Sequence, residues 1–369
     1  MLSSLSFRVR PVNASAKENV LSPLTQLSNA TIRRVLLSMA LGAAACLCQA
    51  QTSPRVVTSG INAEFTVSNF ENSIAFYHDV LGLTPPATKI SPALPAVGQL
   101  TGTVTGQAHV ASMPIPGATW KMEIVETTGI ELKPVNAQRQ DIGASGTILY
   151  VRDLDVTLAA LKKAGAPIVT TGGMPVHIGA KGSKSRAIMA KDPDGFFIEV
   201  RQMDPLPETT APASSNLIGA SMSLSVENSE KTAQYWKEKL DFEVKPGASF
   251  SKDKAELALL GTPGAQVRKT IASYPGSDVV FEFLEFKGIE RKKLAPHTQD
   301  PGSGAFAFTS SDEAALVKRL KADGQTKILT VGNDAVNQGA RIAMFFQEPD
   351  GFIIEAMQRL ERPGGKKKE

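Results

Sequence analysis

Two glutamates hold the same place in a repeated turn and strand: Glu199 in KDPDGFFIEV (191–200) and Glu355 in QEPDGFIIEA (347–356). A second pair recurs in Glu-Ile-Val-Glu (123–126) and Glu-Phe-Leu-Glu (282–285). A carboxylate among apolar residues must meet a cation, accept hydrogen bonds, or stay protonated with a raised pKa. Such acids can ligate a hard divalent ion, act as a general base, or help hold a small molecule. Strand side chains alternate between faces, so the two acids of each Glu-x-x-Glu point opposite ways. Glu282 shares its face with Val280, Leu284 and Phe286, and Glu355 shares its face with Ile353 and Met357. Edge strands with solvent-facing acids would give the same pattern. Recurrence of both acids in both blocks favours a shared inner site.

The elements that position these acids also repeat. INAEFTV gives way to NFENSIAFYHDVLG, where Ile74, Tyr77 and Leu81 form a helical stripe that Gly82 can close. ASMSLSV gives way to ENSEKTAQYWKEKLDF, with Ala233, Trp236 and Leu240 at the same spacing. TILYVRDLDVTLAALKKAGAP (147–167) and AFAFTSSDEAALVKRLKADG (305–324) are again a strand and then a leucine-striped helix. This pattern predicts four βαβββ units, two in a first domain at 61–203 and two in a second at 217–358. DPLPETTAPASSN (204–216), rich in Pro, Ser and Thr, reads as the linker.

The chain of 369 residues is 42% hydrophobic and 21% charged, enough for two globular domains. Its formal charge of +4 lies partly in Lys366, Lys367 and Lys368 of the 359–369 tail, and no nucleic-acid-binding surface is expected. Arg33 and Arg34 precede the uncharged run VLLSMALGAAACLC (35–48), so residues 1–50 read as an N-terminal extension with a signal peptide. That run is too short to span a bilayer comfortably, and no stable membrane span is expected after its removal. The only cysteines, Cys46 and Cys48, fall within it. An exported protein, periplasmic or secreted and cysteine-free when mature, is the expectation.

VSNFENSIAFYHDVLGL and DPDGFFIEV resemble the vicinal oxygen chelate superfamily, which includes glyoxalase I, ring-cleaving dioxygenases and bleomycin- and fosfomycin-resistance proteins. SVENSEKTAQYWKEKLDF and EPDGFIIEA are a looser copy. The resemblance implies an α+β fold: paired βαβββ modules forming cup-like mixed sheets, in two tandem glyoxalase-like domains. In metal-using members the cup holds one divalent ion, bound by a His or Gln early in each module and a Glu late in it. Carried over by motif, the acids are Glu123 and Glu199 in the first domain and Glu282 and Glu355 in the second. The imidazole positions hold Asn62, Gly146, Ser221 and Ala305 instead. The histidines, His78, His109, His177 and His297, lie elsewhere.

Asn62, Glu123 and Glu199 are thus the candidate metal ligands, suited to a hard ion rather than to Zn²⁺, Ni²⁺ or Fe²⁺. Ser221, Glu282 and Glu355 are their second-domain equivalents. No cofactor is firmly implied, and a divalent metal stays open. Glu123 and Glu199 are the candidate catalytic residues and are expected to point into one cavity. PPATKISPALPAVG (85–98) reads equally as a lid or a plain loop, and Arg186 and Arg341 as anion clamps or surface charges. No P-loop, dinucleotide fingerprint or Gly-x-Ser-x-Gly elbow is present. The favoured function is binding of a small-molecule ligand by an exported protein of the glyoxalase/bleomycin-resistance type with a degenerate metal site. The alternative is a metal-dependent lyase, isomerase or ring-cleaving dioxygenase in the first domain, or a metal-free variant with Glu123 or Glu199 as base. Ligand identity and oligomeric state stay open, as does a purely structural role for the second domain.

Overall fold

The computed structural model describes residues 55–360 apart from 92–94, 104–105, 248 and 323. The expected signal peptide and residues 361–369 of the basic tail lie outside the described residues, while Arg359 ends the last strand. Four modules follow one another. The first holds β1 (Val57–Val67), α1 (Phe70–Ala75, continued by a π-helical turn at Phe76–Val80), β2 (Ala87–Ser91), α2 (Pro95–Thr101), β3 (Gln107–Pro114) and β4 (Lys121–Thr128). The second holds β5 (Ser145–Val151), α3 (Leu154–Lys163), β6 (Val176–His177), β7 (Arg186–Lys191) and β8 (Phe197–Gln202). The third holds β9 (Leu217–Val226), α4 (Ser229–Leu240), β10 (Glu243–Lys245), α5 (Lys254–Leu259), β11 (Gln266–Ser273) and β12 (Val280–Lys287). The fourth holds β13 (Gly304–Ser310), α6 (Glu313–Lys321), β14 (Lys327–Ile328), β15 (Val336–Asn337), β16 (Arg341–Gln347) and β17 (Ile353–Arg359).

Each module's first strand runs into an Asn or Asp that caps its helix: Asn69, Asp153, Asn228 and Asp312 all accept backbone N–H bonds from the first turn. The apolar stripes read from the sequence are buried, with Tyr77, Trp236, Leu161 and Leu320 all at 0% exposure.

The sheets join modules across the two halves of the chain. One has the order β14-β16-β17-β13-β1-β4-β3-β2, with β15 on β16, and so unites the first and fourth modules. The other, β10-β11-β12-β9-β5-β8-β7-β6, unites the second and third. In each, the opening strands of two modules meet antiparallel, β1 on β13 and β5 on β9, and each opening strand pairs in parallel with the last strand of its own module. Pairing the opening strands leaves neither as an exposed edge.

The two sheets share one core. Trp236 of the third module packs on Phe281 at 4.6 Å and reaches Phe308 of the fourth at 5.9 Å. The repeated turns tie each half together as well. Asp194 of the first DPDG accepts from Ser68 N at 2.7 Å and Ser73 Oγ at 3.1 Å, at the start of α1. Asp350, at the same place in EPDG, accepts from Glu227 N at 2.7 Å and Thr232 Oγ1 at 2.5 Å, at the start of α4.

Candidate functional site: two unequal cups

On a flat sheet β4 and β17 would lie about 14 Å apart, three strand spacings of about 4.8 Å. The curl of the first sheet brings their acids to one concave face. Glu123 stands on β4 beside Glu64 of β1 in parallel register, and Glu355 stands on β17 beside Ala307 of β13. These acids line a cavity of about 400 Å³ with Val97, Leu100, Val110, Val125 and Phe345 as apolar wall. The stretch 85–98 supplies Ala87, Lys89 and Val97 to that wall through β2 and the start of α2. α2 is held to the fourth module by Thr330 Oγ1 donating to Leu100 O at 2.8 Å and Val331 N donating to Gln99 O at 2.9 Å.

Compensation of these acids is sparse. Asn62 Nδ2 donates to Glu123 Oε1 at 3.1 Å. Arg341 Nη1 lies 3.2 Å from Glu355 Oε1. Glu64 has no ion-pair partner among the described residues. Burial, then the neighbouring carboxylates Glu355 and Glu123, push Glu64 up to about 8, against a lowering pull from Arg341. Burial raises Glu355 to about 7, with Arg341 opposing and Glu123 adding. Burial also raises Glu123, while Lys121, Arg341 and Lys89 pull it down.

The second sheet forms the other cup, and here the acids are neutralised. Glu199 of β8 faces Glu282 of β12, and Arg201, two residues beyond Glu199 on the same face, lies between them. Its Nε sits 2.5 Å from Glu199 Oε1, while Nη1 and Nη2 donate to Glu282 Oε1 and Oε2 at 2.7 and 3.0 Å. Lys269 Nζ adds a contact at 3.9 Å to Glu282 and one at 2.8 Å to Glu256. Burial alone would raise Glu282, but Arg201 wins and holds it at about 2. Beneath them Arg139 is buried, donating to Ser223 Oγ at 2.7 Å and Ser225 Oγ at 2.8 Å, and burial lowers it to about 10. A cavity of about 510 Å³ adjoins this cluster, with His177 on its wall.

The expectation that Glu123 and Glu199 share one cavity is therefore not met. They lie on different sheets because each first-half module pairs with a second-half module, so Glu123 meets Glu355 and Glu199 meets Glu282. Glu126 and Glu285, the other member of each pair, face the helices. Each accepts from the first turn of its module's helix, Glu126 from Phe70 N at 3.3 Å and Glu285 from Ser229 N at 3.0 Å. His109 joins Glu126 at 3.3 Å on that side, away from the cup. His78 Nδ1 donates to Leu83 O at 2.7 Å, and the exposed His297 lies near the buried Asp300. Arg186 is a surface charge paired with Asp155, whereas Arg341 enters the first cup. One extra residue separates Arg341 from its turn, and a one-residue slip turns a side chain to the other face.

Glu64 and Arg201 were not singled out by sequence reasoning. Glu64 follows Asn62 by two on β1, so period-two alternation places it on the Asn62 face. Arg201 follows Glu199 by two in the same way.

Neither cup fits the catalytic metal that the resemblance implies. Ser221 spends its hydroxyl on Tyr150 at 3.1 Å, and a Cβ on Gly146 would stand 2.9 Å from Phe197 O and 3.3 Å from Ser223 Oγ. No imidazole enters there without displacing backbone. Among the described residues no three His, Cys, Asp or Glu side chains are close enough together to hold an ion.

A model of the Glyoxalase/Bleomycin resistance protein/Dioxygenase superfamily matches residues 61–200 and 220–356. The chain belongs to this superfamily. Its fold is similar to that of a glyoxalase I mutant from Zea mays, at 15% identity and a TM-score of 0.51, covering 82% of this chain and 93% of that one. Glyoxalase I from the same plant aligns at 16% identity and a TM-score of 0.49, over 82% and 92%. A putative dioxygenase from Bacillus subtilis aligns at 14% identity and 0.44, over 83% and 86%. At such identities the likeness concerns the fold alone. No curated protein matches the chain in sequence.

Proposed function

We propose that this is a small-molecule-binding protein of the glyoxalase/bleomycin-resistance type, acting after export, with its working pocket in the cup shared by the first and fourth modules. The observation that carries this reading is the contrast between the cups. In one, Arg201 satisfies both glutamates. In the other, Glu64, Glu123 and Glu355 line an open cavity of about 400 Å³ against a single arginine contact. Pockets of this size and mixed lining suit a small organic molecule. A thermal-shift panel of small molecules tests it: a true ligand stabilises the wild type and fails to stabilise Glu123→Gln or Glu355→Gln. Hits that stabilise all three equally would overturn the assignment of the pocket. Export is tested by the mass of the mature chain recovered from the producing cell's exterior or periplasm.

One observation favours a second reading, metal-free proton transfer. Glu64 at about 8 and Glu355 at about 7 lie at and just above neutral pH on one cavity wall, close to the range in which a general acid or base works best. Deuterium uptake by a bound hit in D₂O, lost in Glu64→Gln, separates this reading from binding alone.

A further inference from the structure

The cup between the second and third modules raises its own question, independent of what the first cup binds. We infer that the Arg201 guanidinium is a built-in cation standing where the two late-module glutamates would otherwise share a divalent ion, closing this cup to metal and fastening the second module to the third. Arg201 spends all three of its nitrogens on Glu199 and Glu282, at 2.5, 2.7 and 3.0 Å. Both glutamates are the late-module acids, so the guanidinium spans the two family ligand positions directly. The cluster is shielded: the side chains of Arg201, Glu199 and Glu282 are 11%, 3% and 12% exposed. At such burial a planar, bidentate guanidinium holds two carboxylates better than a flexible amine would.

The surroundings complete the replacement. Lys269 at the cavity wall and Arg139 beneath the pair add positive charge next to the two carboxylates, which further disfavours a divalent ion there. Gly146, at an imidazole position, has Phe197 O and the Ser223 hydroxyl where a side chain would begin. The glutamates are kept, yet their partner is supplied by the chain itself. This ties β8 to β12 across the two intervening strands β5 and β9, and through them joins the two halves of the sequence.

The test is uptake of Mn²⁺ by equilibrium dialysis, in a Glu123→Gln background that removes a carboxylate from the other cup. The parent should take up no Mn²⁺ that Glu199→Gln abolishes. Adding Arg201→Met should expose the two carboxylates and give uptake approaching about one Mn²⁺ per chain at millimolar metal, lost again with Glu199→Gln. Glu199-dependent uptake with Arg201 in place would overturn the inference, as would a folded Arg201→Met variant that takes up none. If Arg201→Met does not fold in metal-free buffer while Arg201→Lys does, refolding in MnCl₂ is the same test: recovery supports the inference and failure overturns it.

Discussion

Arg201 donates both Nη groups to the carboxylate of Glu282, 81 residues further along the chain, at 2.7 and 3.0 Å. The contact joins the last strand of the second module to the last strand of the third. It sits in a shielded hollow, where removing one partner leaves the others as uncompensated buried charges.

Arg201→Ala should therefore destabilise the protein strongly, by about 3–5 kcal/mol, because Glu199 and Glu282 would face each other with only the long Lys269 contact left. Arg186→Ala removes a guanidinium whose partner Asp155 is 67% exposed and should cost less than about 1 kcal/mol. Urea unfolding midpoints of the two variants decide the matter. Similar small losses would show that the buried cluster carries little.

Stability should fall as pH rises through neutrality. Glu64 and Glu355 have folded values of about 8 and about 7 against an ordinary 4.5, so folding takes up protons between those limits. Their contribution is full below about 4.5 and is lost as pH climbs through the folded values. Asp192 and Glu313, both raised to about 7 chiefly by burial, act in the same direction. The informative quantity is thus the difference between wild type and Glu64→Gln, which should have a flatter profile between pH 5 and pH 8. Parallel profiles would place the Glu64 titration elsewhere.

Gly146→Ala should destabilise although its backbone is unstrained. The new Cβ would press on Phe197 O at 2.9 Å, which belongs to a paired strand and has little room to move. Overpacking of this kind costs about 1–3 kcal/mol. An unchanged thermal midpoint would mean that the sheet yields there and that this position is open to a metal-binding side chain after all.

Much of the fold was legible because its signals are local. The capping Asn and Asp residues, the stripes through Tyr77 and Trp236, and the strand alternation that sends Glu123 one way and Glu126 the other are all properties of short stretches. The pairing of modules is not local. Nothing within 61–203 says that β1 will choose β13 rather than β5, since both opening strands carry similar apolar patterns. That choice decides which glutamates meet: Glu123, expected beside Glu199, stands instead in the cup with Glu355, and Glu199 stands with Glu282. Arg201 and Glu64 are ordinary charged residues on strands until the curl of the sheet turns their faces inward.

One cup is charge-closed and the other is not, a difference that carboxyl titration by ¹³C NMR reads at each glutamate. With resonances assigned through Glu64→Gln, Glu355→Gln and Glu282→Gln, Glu64 should titrate near 8, Glu355 near 7, and Glu282 should stay ionised down to about 2. If all three instead titrate together near 4.5, the two cups are electrostatically alike and neither is closed by charge.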